Sequence, residues 1–166
     1  PTSDEIKHFG AAMASYGSTP LFHIVGITPE ASNLAAVGGT SLPVTKITDD
    51  DLAVLRSDFG AKGERPDVIV FAAPQLSIVE MGKVSSLVDG QKLKVPMIVC
   101  TSPQTYGDAR RMGFVDKIEN AGGVVLEGTC FYQQGAKEIG EANGWVRLLS
   151  NSTKIVNILG GYGYKP

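Results

Sequence analysis

The run Ser150-Asn151-Ser152-Thr153-Lys154 places hydroxyls, an amide and a lysine at the start of a segment of helical period. Unpaired N–H groups and the positive end of a helix dipole add to that set, and together they make a receptor for a carboxylate or phosphate. Lys154 reads either as the cation of such a site or as a solvated lysine in the first turn of a surface helix. No GxxxxGK[ST] run occurs, so it is not a nucleotide P-loop lysine. Cys130, in Gly128-Thr129-Cys130, follows an apolar run and precedes a helical segment, where backbone N–H groups favour a thiolate. It is a candidate ligand or nucleophile, or else a small buried hydrophobe. Cys100 ends an apolar run and reads as core. His23, inside Leu21 to Gly26, reads as a hydrogen-bonded structural imidazole.

Three further polar stretches have the same setting. Ile27-Thr28-Pro29-Glu30, Pro74-Gln75-Leu76-Ser77 and Thr101-Ser102-Pro103-Gln104-Thr105 each follow a short apolar run rich in β-branched residues. Turns and helix caps alone account for Ser, Thr, Asn and Pro at such places. In an open parallel sheet, however, the loops beyond the carboxyl ends of the strands gather around one crevice, and a shared site would lie there.

The elements that must position these residues are β-α units. Five strands are expected: Leu21 to Gly26, Asp67 to Ala73, Val95 to Cys100, Gly123 to Glu127 and Trp145 to Leu149. The middle three are apolar almost throughout, as strands covered on both faces are. Helix starts carry capping signals: Thr48 with Asp49, Asp50 and Asp51, and the Ser77/Glu80 box before Met81, Val84 and Val88. Leu52, Leu55 and Phe59 share one face of the first of these helices, and Gly60 is its expected stop. Further helices are expected from Ser3 to Ser15, from Tyr106 to Ala121 with a break near Gly113, and from Gln133 to Glu141. Ala35 to Pro43 is the likeliest flexible loop. The fold class is α/β, a three-layer α/β/α sandwich with a mostly parallel sheet.

The 166 residues carry 15 Lys+Arg against 17 Asp+Glu, a formal charge of -2, which gives no electrostatic case for nucleic acid. No apolar run approaches the length of a membrane span, and Pro1-Thr-Ser-Asp-Glu lacks a signal-peptide pattern, so a cytoplasmic protein is expected. Two cysteines are too few for a disulfide framework or a zinc site. A chain that starts at Pro1 is expected to be a processed or excised piece.

His8-Phe-Gly-Ala-Ala-Met-Ala-Ser-Tyr-Gly17, followed by Leu21-Phe-His-Ile-Val-Gly-Ile-Thr-Pro-Glu-Ala31, resembles the large-subunit, or catalytic, region of aconitase X. Ala72-Ala-Pro-Gln-Leu-Ser77 is similar to that family's Gly-Cys-Pro-His-type strand end, and Cys100-Thr-Ser102 to its Thr-Thr-Ser segment. Gly128-Thr-Cys130 is similar to its Asp-Thr-Cys segment, and Ser150-Asn-Ser-Thr-Lys154 to its Thr-Asn-Ser-Gly-Lys segment. The resemblance implies an aconitase-domain-like fold and a hydro-lyase that dehydrates a small hydroxylated acid, cis-3-hydroxy-L-proline before mevalonate 5-phosphate. It also implies an iron-sulfur cluster acting as Lewis acid on the leaving hydroxyl, and a small swivelling domain or subunit that closes over the site. Carried over, Cys130 is a metal ligand, Lys154 and Ser152 are catalytic, and Thr28, Glu30, Ser102, Asn151 and Ser152 bind substrate.

This sequence departs from the pattern at Ala73, where some relatives have Cys, at Gln75 for His, at Gly128 for an acid and at Thr153 for Gly. One thiolate does not hold a cluster, so the remaining ligands are expected outside the chain. Residues 1–166 are accordingly expected to be one α/β domain, the C-terminal part of a larger catalytic region. A non-catalytic α/β binding or assembly module of the same descent is the alternative. A flavodoxin-like domain is disfavoured, because the first exit has no hydroxyl- and glycine-rich loop to cradle a flavin phosphate.

Overall fold

Val68–Leu76 (β1), Met97–Thr101 (β2), Gly123–Glu127 (β3) and Leu148–Leu149 (β4) form a parallel sheet of order β3-β2-β1-β4 in the computed structural model, which describes residues 1–59 and 64–165. The register runs Ile69↔Met97 to Phe71↔Val99 between β1 and β2, Met97↔Gly123 to Thr101↔Glu127 between β2 and β3, and Val68↔Leu148 between β1 and β4. Period-two alternation sorts β1 between two cores. Val68, Val70 and Ala72 pack with Phe131, Ile155 and Leu159, while Ile69 and Phe71 face the cluster of Met81, Val84, Val99, Val115 and Ile118.

The second cluster is closed by Ile78–Val88 (α3), Pro103–Arg111 (α4) and Phe114–Asn120 (α5). On the opposite face lie Thr153–Gly160 (α7), Ala136–Asn143 (α6), the 3-10 turn Phe131–Gln133 and the N-terminal helix Ser3–Gly17 (α1). The expected three layers are therefore present. So are the Ser77/Glu80 capping box, the buried stripe Met81, Val84 and Val88, and the helix break at Gly113, whose φ is +75°.

Leu21 to Gly26 is not a strand. Its residues have the composition of one, but among the described residues no neighbouring strand takes up their backbone groups. The chain instead folds on itself, with Ile27 N and Thr28 N bonded to Ile24 O and Gly26 N to Ala31 O at 2.7 Å. Leu21 and Val25 stay 67% and 49% exposed. Phe22 finds its apolar contact on α1, edge to face with Phe9 at 5.0 Å.

The fifth expected strand shrinks to β4. Ahead of it, the Asp67 carboxylate accepts the N–H groups of Val146 and Arg147 at 2.8 and 2.7 Å, and Lys165 pairs alongside Arg147. The expected helix from Gln133 to Glu141 divides into the 3-10 turn and α6 at Gly135, where φ is +77°. Ala35 to Pro43, expected as a loop, carries two single 3-10 turns, Ala35–Val37 and Gly39–Ser41.

Asp49–Phe59 (α2) is capped at Thr48 as expected, with Asp51 N bonded to Thr48 Oγ1 at 3.3 Å. Leu52 and Leu55, expected to share one face of this helix, are exposed. The expected stop at Gly60 lies outside the described residues.

Candidate functional site

A sheet of order 3-2-1-4 reverses direction at its first strand, and the crevice of such a fold opens between the carboxyl ends of β1 and β4. The end of β1 is irregular: pairing with β2 shifts between Phe71 and Leu76, and Ala73 has φ +46°, in the left-handed region. The Ala73 carbonyl accepts the Ser152 hydroxyl at 2.5 Å. Ser152 is also the N-cap of α7, its Oγ accepting Ile155 N at 3.2 Å, and it is 2% exposed. One hydroxyl thus ties the end of β1 to the start of the last helix. Asn151 beside it is exposed and Lys154, in the first turn, is half-buried.

The exit of β3 folds into the same place. Gly128 N bonds to Thr101 O at 2.9 Å, and Thr129 O accepts Gln75 Nε2 at 2.8 Å. Cys130 follows, buried at 7% exposure in one core cluster with Ala73 and Cys100. Burial pushes its thiol up. The N–H groups of Tyr132, Ala73 and Phe131 and the charge of Lys154 pull the other way without overcoming it. Cys100 is pushed up to about 11 by burial and then by Cys130, against the N–H of Phe131.

Both thiols are therefore protonated at neutral pH in the folded chain. Iodoacetamide at pH 8 is expected to alkylate neither until denaturant is added, a result read by intact-mass spectrometry. Rapid labelling of native protein at Cys130 would show the loop to be open.

The other expected site residues divide into two groups. Ser102 stands at the β2 exit as the N-cap of α4, half-buried, accepting Thr105 N at 3.1 Å and bonded to Thr105 Oγ1 at 3.0 Å. Thr28 and Glu30 follow no strand, because the segment before them is a turn. Among the described residues their side-chain bonds stay local: Thr28 Oγ1 with Ile24, and Glu30 Oε1 with His23 Nδ1 at 3.3 Å. Cys130, Ser152 and Lys154 are brought together, and Thr28 and Glu30 are held by contacts of their own.

Sequence reasoning missed the contribution of α1. Asp4, Lys7 and His8 lie at i, i+3 and i+4 on one face of that helix, which was the available signal. This face meets the exit of β1. His8 Nε2 and Glu80 Oε1 are 2.8 Å apart, Lys7 pairs with Glu80 and donates to Gln75 O at 3.0 Å, and Ser77 Oγ donates to Asp4 at 3.0 Å. At the other end of α1, Asn157 of α7 donates to Ser15 O and Oγ at 3.0 and 2.8 Å. The helix therefore runs from the start of α3 to α7 and ties together the two layers on either face of the sheet.

The fit to an iron-sulfur cluster can be judged from the donors. Among the described residues no three His, Cys, Asp or Glu side chains gather as a metal-binding group. Cys100 and Cys130 are two buried thiols where a cluster takes three or four ligands. The donor set of this chain does not by itself fit a cluster. Among the described residues no helix is long and apolar enough to cross a membrane.

Fold and site define a doubly wound α/β module whose β1, β3 and β4 exits meet at its switch point. Residues 66–166 match the family model of the aconitase X third domain and residues 1–57 that of the second domain. The chain belongs to the aconitase X family. It is similar to the phosphomevalonate dehydratase large subunit of Methanothermobacter thermautotrophicus, 33% identical over 141 residues, covering 84% of this chain and 35% of that protein. It is also similar to the cis-3-hydroxy-L-proline dehydratase of Hypocrea jecorina, 34% identical over 164 residues, covering 93% of this chain and 26% of that protein. The crystal structure of Thermococcus kodakaraensis aconitase X in its holo-form shares the fold, with a TM-score of 0.82 at 24% identity, over 99% of this chain and 41% of that one. The chain thus spans about a quarter to a third of the length of these two curated relatives.

Proposed function

We propose that the intact protein is a hydro-lyase of the aconitase X type that dehydrates a small hydroxylated acid. The observation that carries this reading is the convergence of Ser152, Lys154 and the Cys130 loop on the Ala73 end of β1, in a family whose curated relatives are dehydratases. In this reading Lys154 and Asn151, at the positive end of α7, hold the acid group of the substrate. Ser152, expected to be catalytic and to bind substrate, has its hydroxyl engaged by Ala73 O and Ile155 N and in this reading keeps β1 and α7 in register beneath the acid group, while Ser102 borders the crevice on the β2 side. Thr28 and Glu30 reach substrate only from the turn that α1 carries. Cys130 is one ligand of an iron-sulfur cluster whose other ligands come from outside residues 1–166. A small subunit or swivelling domain completes the enclosure, as the designation "large subunit" of one relative suggests.

The two substrate classes are represented at nearly equal identity, 33% and 34%, so both are assayed. Intact protein purified without oxygen is expected to contain iron and sulfide and to release water from cis-3-hydroxy-L-proline or from mevalonate 5-phosphate. The shortage of donors favours a second reading, a non-catalytic α/β binding or assembly module. Intact protein that binds no iron and dehydrates neither acid would establish that second reading over the first.

A further inference from the structure

Gln75 is held from two directions. Its backbone carbonyl accepts Lys7 Nζ at 3.0 Å, and its side-chain Nε2 donates to Thr129 O at 2.8 Å. It lies in the stretch of β1 where the ladder to β2 is interrupted, so the ammonium of Lys7 restrains a piece of backbone that regular pairing does not. Lys7 is fixed in turn by Glu80 and by Asp4 at 3.3 Å. On the far side, Thr129 immediately precedes Cys130, and its own hydroxyl accepts Gln134 Nε2 at 2.5 Å. Lys7 belongs to the stretch matched by the second-domain model and Thr129 to the stretch matched by the third.

We propose that Gln75 is a positioning residue that couples helix α1 to the Cys130 loop. Lys7 sets the backbone of Gln75, and the amide of Gln75 sets the carbonyl of Thr129, so a displacement of α1 is felt at the β3 exit. Gln75 serves here as a two-sided hydrogen-bonding strap. The bearing of this coupling on chemistry rests on the crevice being the site proposed above. The coupling itself is measurable without turnover.

Amide hydrogen exchange of the intact protein, followed by peptide mass spectrometry, tests it with Gln75→Leu, Lys7→Met, the double variant and Lys7→Arg. Peptides covering residues 128–134 are expected to exchange about tenfold faster in each of the first two variants. The double variant is expected to exchange no faster than Gln75→Leu alone, because both substitutions cut one path. Lys7→Arg, which keeps a cationic donor, holds the wild-type rate, and peptides over β2 and α5 do not change. Rates in 128–134 that are unmoved by Lys7→Met, or that add in the double variant, overturn the coupling. A dehydration assay on the same samples separates the two readings. Coupling without any dehydration removes the proposed function alone, whereas dehydration without coupling removes this inference alone.

Discussion

Replacing Lys154 with methionine is expected to lower kcat/KM for the proposed dehydration by the intact protein about a hundredfold while leaving its thermal midpoint unchanged or slightly raised. The two halves of this expectation have one cause. α7 has no acidic residue in its first turn, and Lys154 puts a positive charge next to the N–H groups and positive dipole end that open the helix. A lysine there costs the helix a few tenths of a kcal/mol, roughly 0.3–1 where the charge is little screened. Methionine keeps the packing of the stem and removes that cost. In the proposed reading, the acid group of the substrate held by Lys154 offsets that cost. Loss of turnover together with loss of stability would make Lys154 a packing residue, and unchanged kinetics would remove it from the site.

Lys154 was visible in the sequence, and so were Cys130 and Ser152, because parallel strands have a direction. Once β1, β2 and β3 are placed by their continuous apolar runs, the loops behind them must gather on one edge of the sheet. Leu21 to Gly26 has the same composition as those strands, and no property of the segment itself distinguishes it. What it lacks is a partner strand, which only the assembled sheet reveals. Thr28 and Glu30 were placed at the crevice on the strength of that missing strand. The hydroxyl of Ser152 was legible as a helix cap, but its second bond, to Ala73 O, depends on the left-handed turn of a residue 79 positions away. Glu80 was legible only as half of a capping box. Its contacts with Lys7 and His8 span 73 and 72 positions and exist because α1 docks where it does. Local pattern therefore located the β3 and β4 exits, and long-range docking supplied the charged wall at the β1 exit.

That wall yields the largest expected change in stability. Glu80→Gln is expected to cost about 2 kcal/mol at pH 7, the range for hydrogen bonds to a charged group that is partly buried. Glutamine at the third helical position still completes the capping box with Ser77, so the loss reports the contacts with Lys7 and His8 rather than the cap. Burial alone would raise the Glu80 carboxyl. The hydrogen bond from Lys7, the N–H of Ser77 and the contact with His8 outweigh it and hold the group below its ordinary value of 4.5. A carboxyl depressed in the folded state binds its proton more readily when unfolded. Its contribution is therefore complete above 4.5 and is lost as the pH falls through the lower, folded value. Asp4, which faces the same cluster, is also depressed and titrates in the same direction in both proteins. The measurement is the difference in urea unfolding free energy between wild type and Glu80→Gln across the acid range. That difference should be greatest at neutral pH and shrink below pH 4.5, because only the wild type has a carboxylate to lose. A gap that stays constant down to the acid limit would mean that Glu80 acts through shape and capping, and that its charge does not hold α1 on the end of β1.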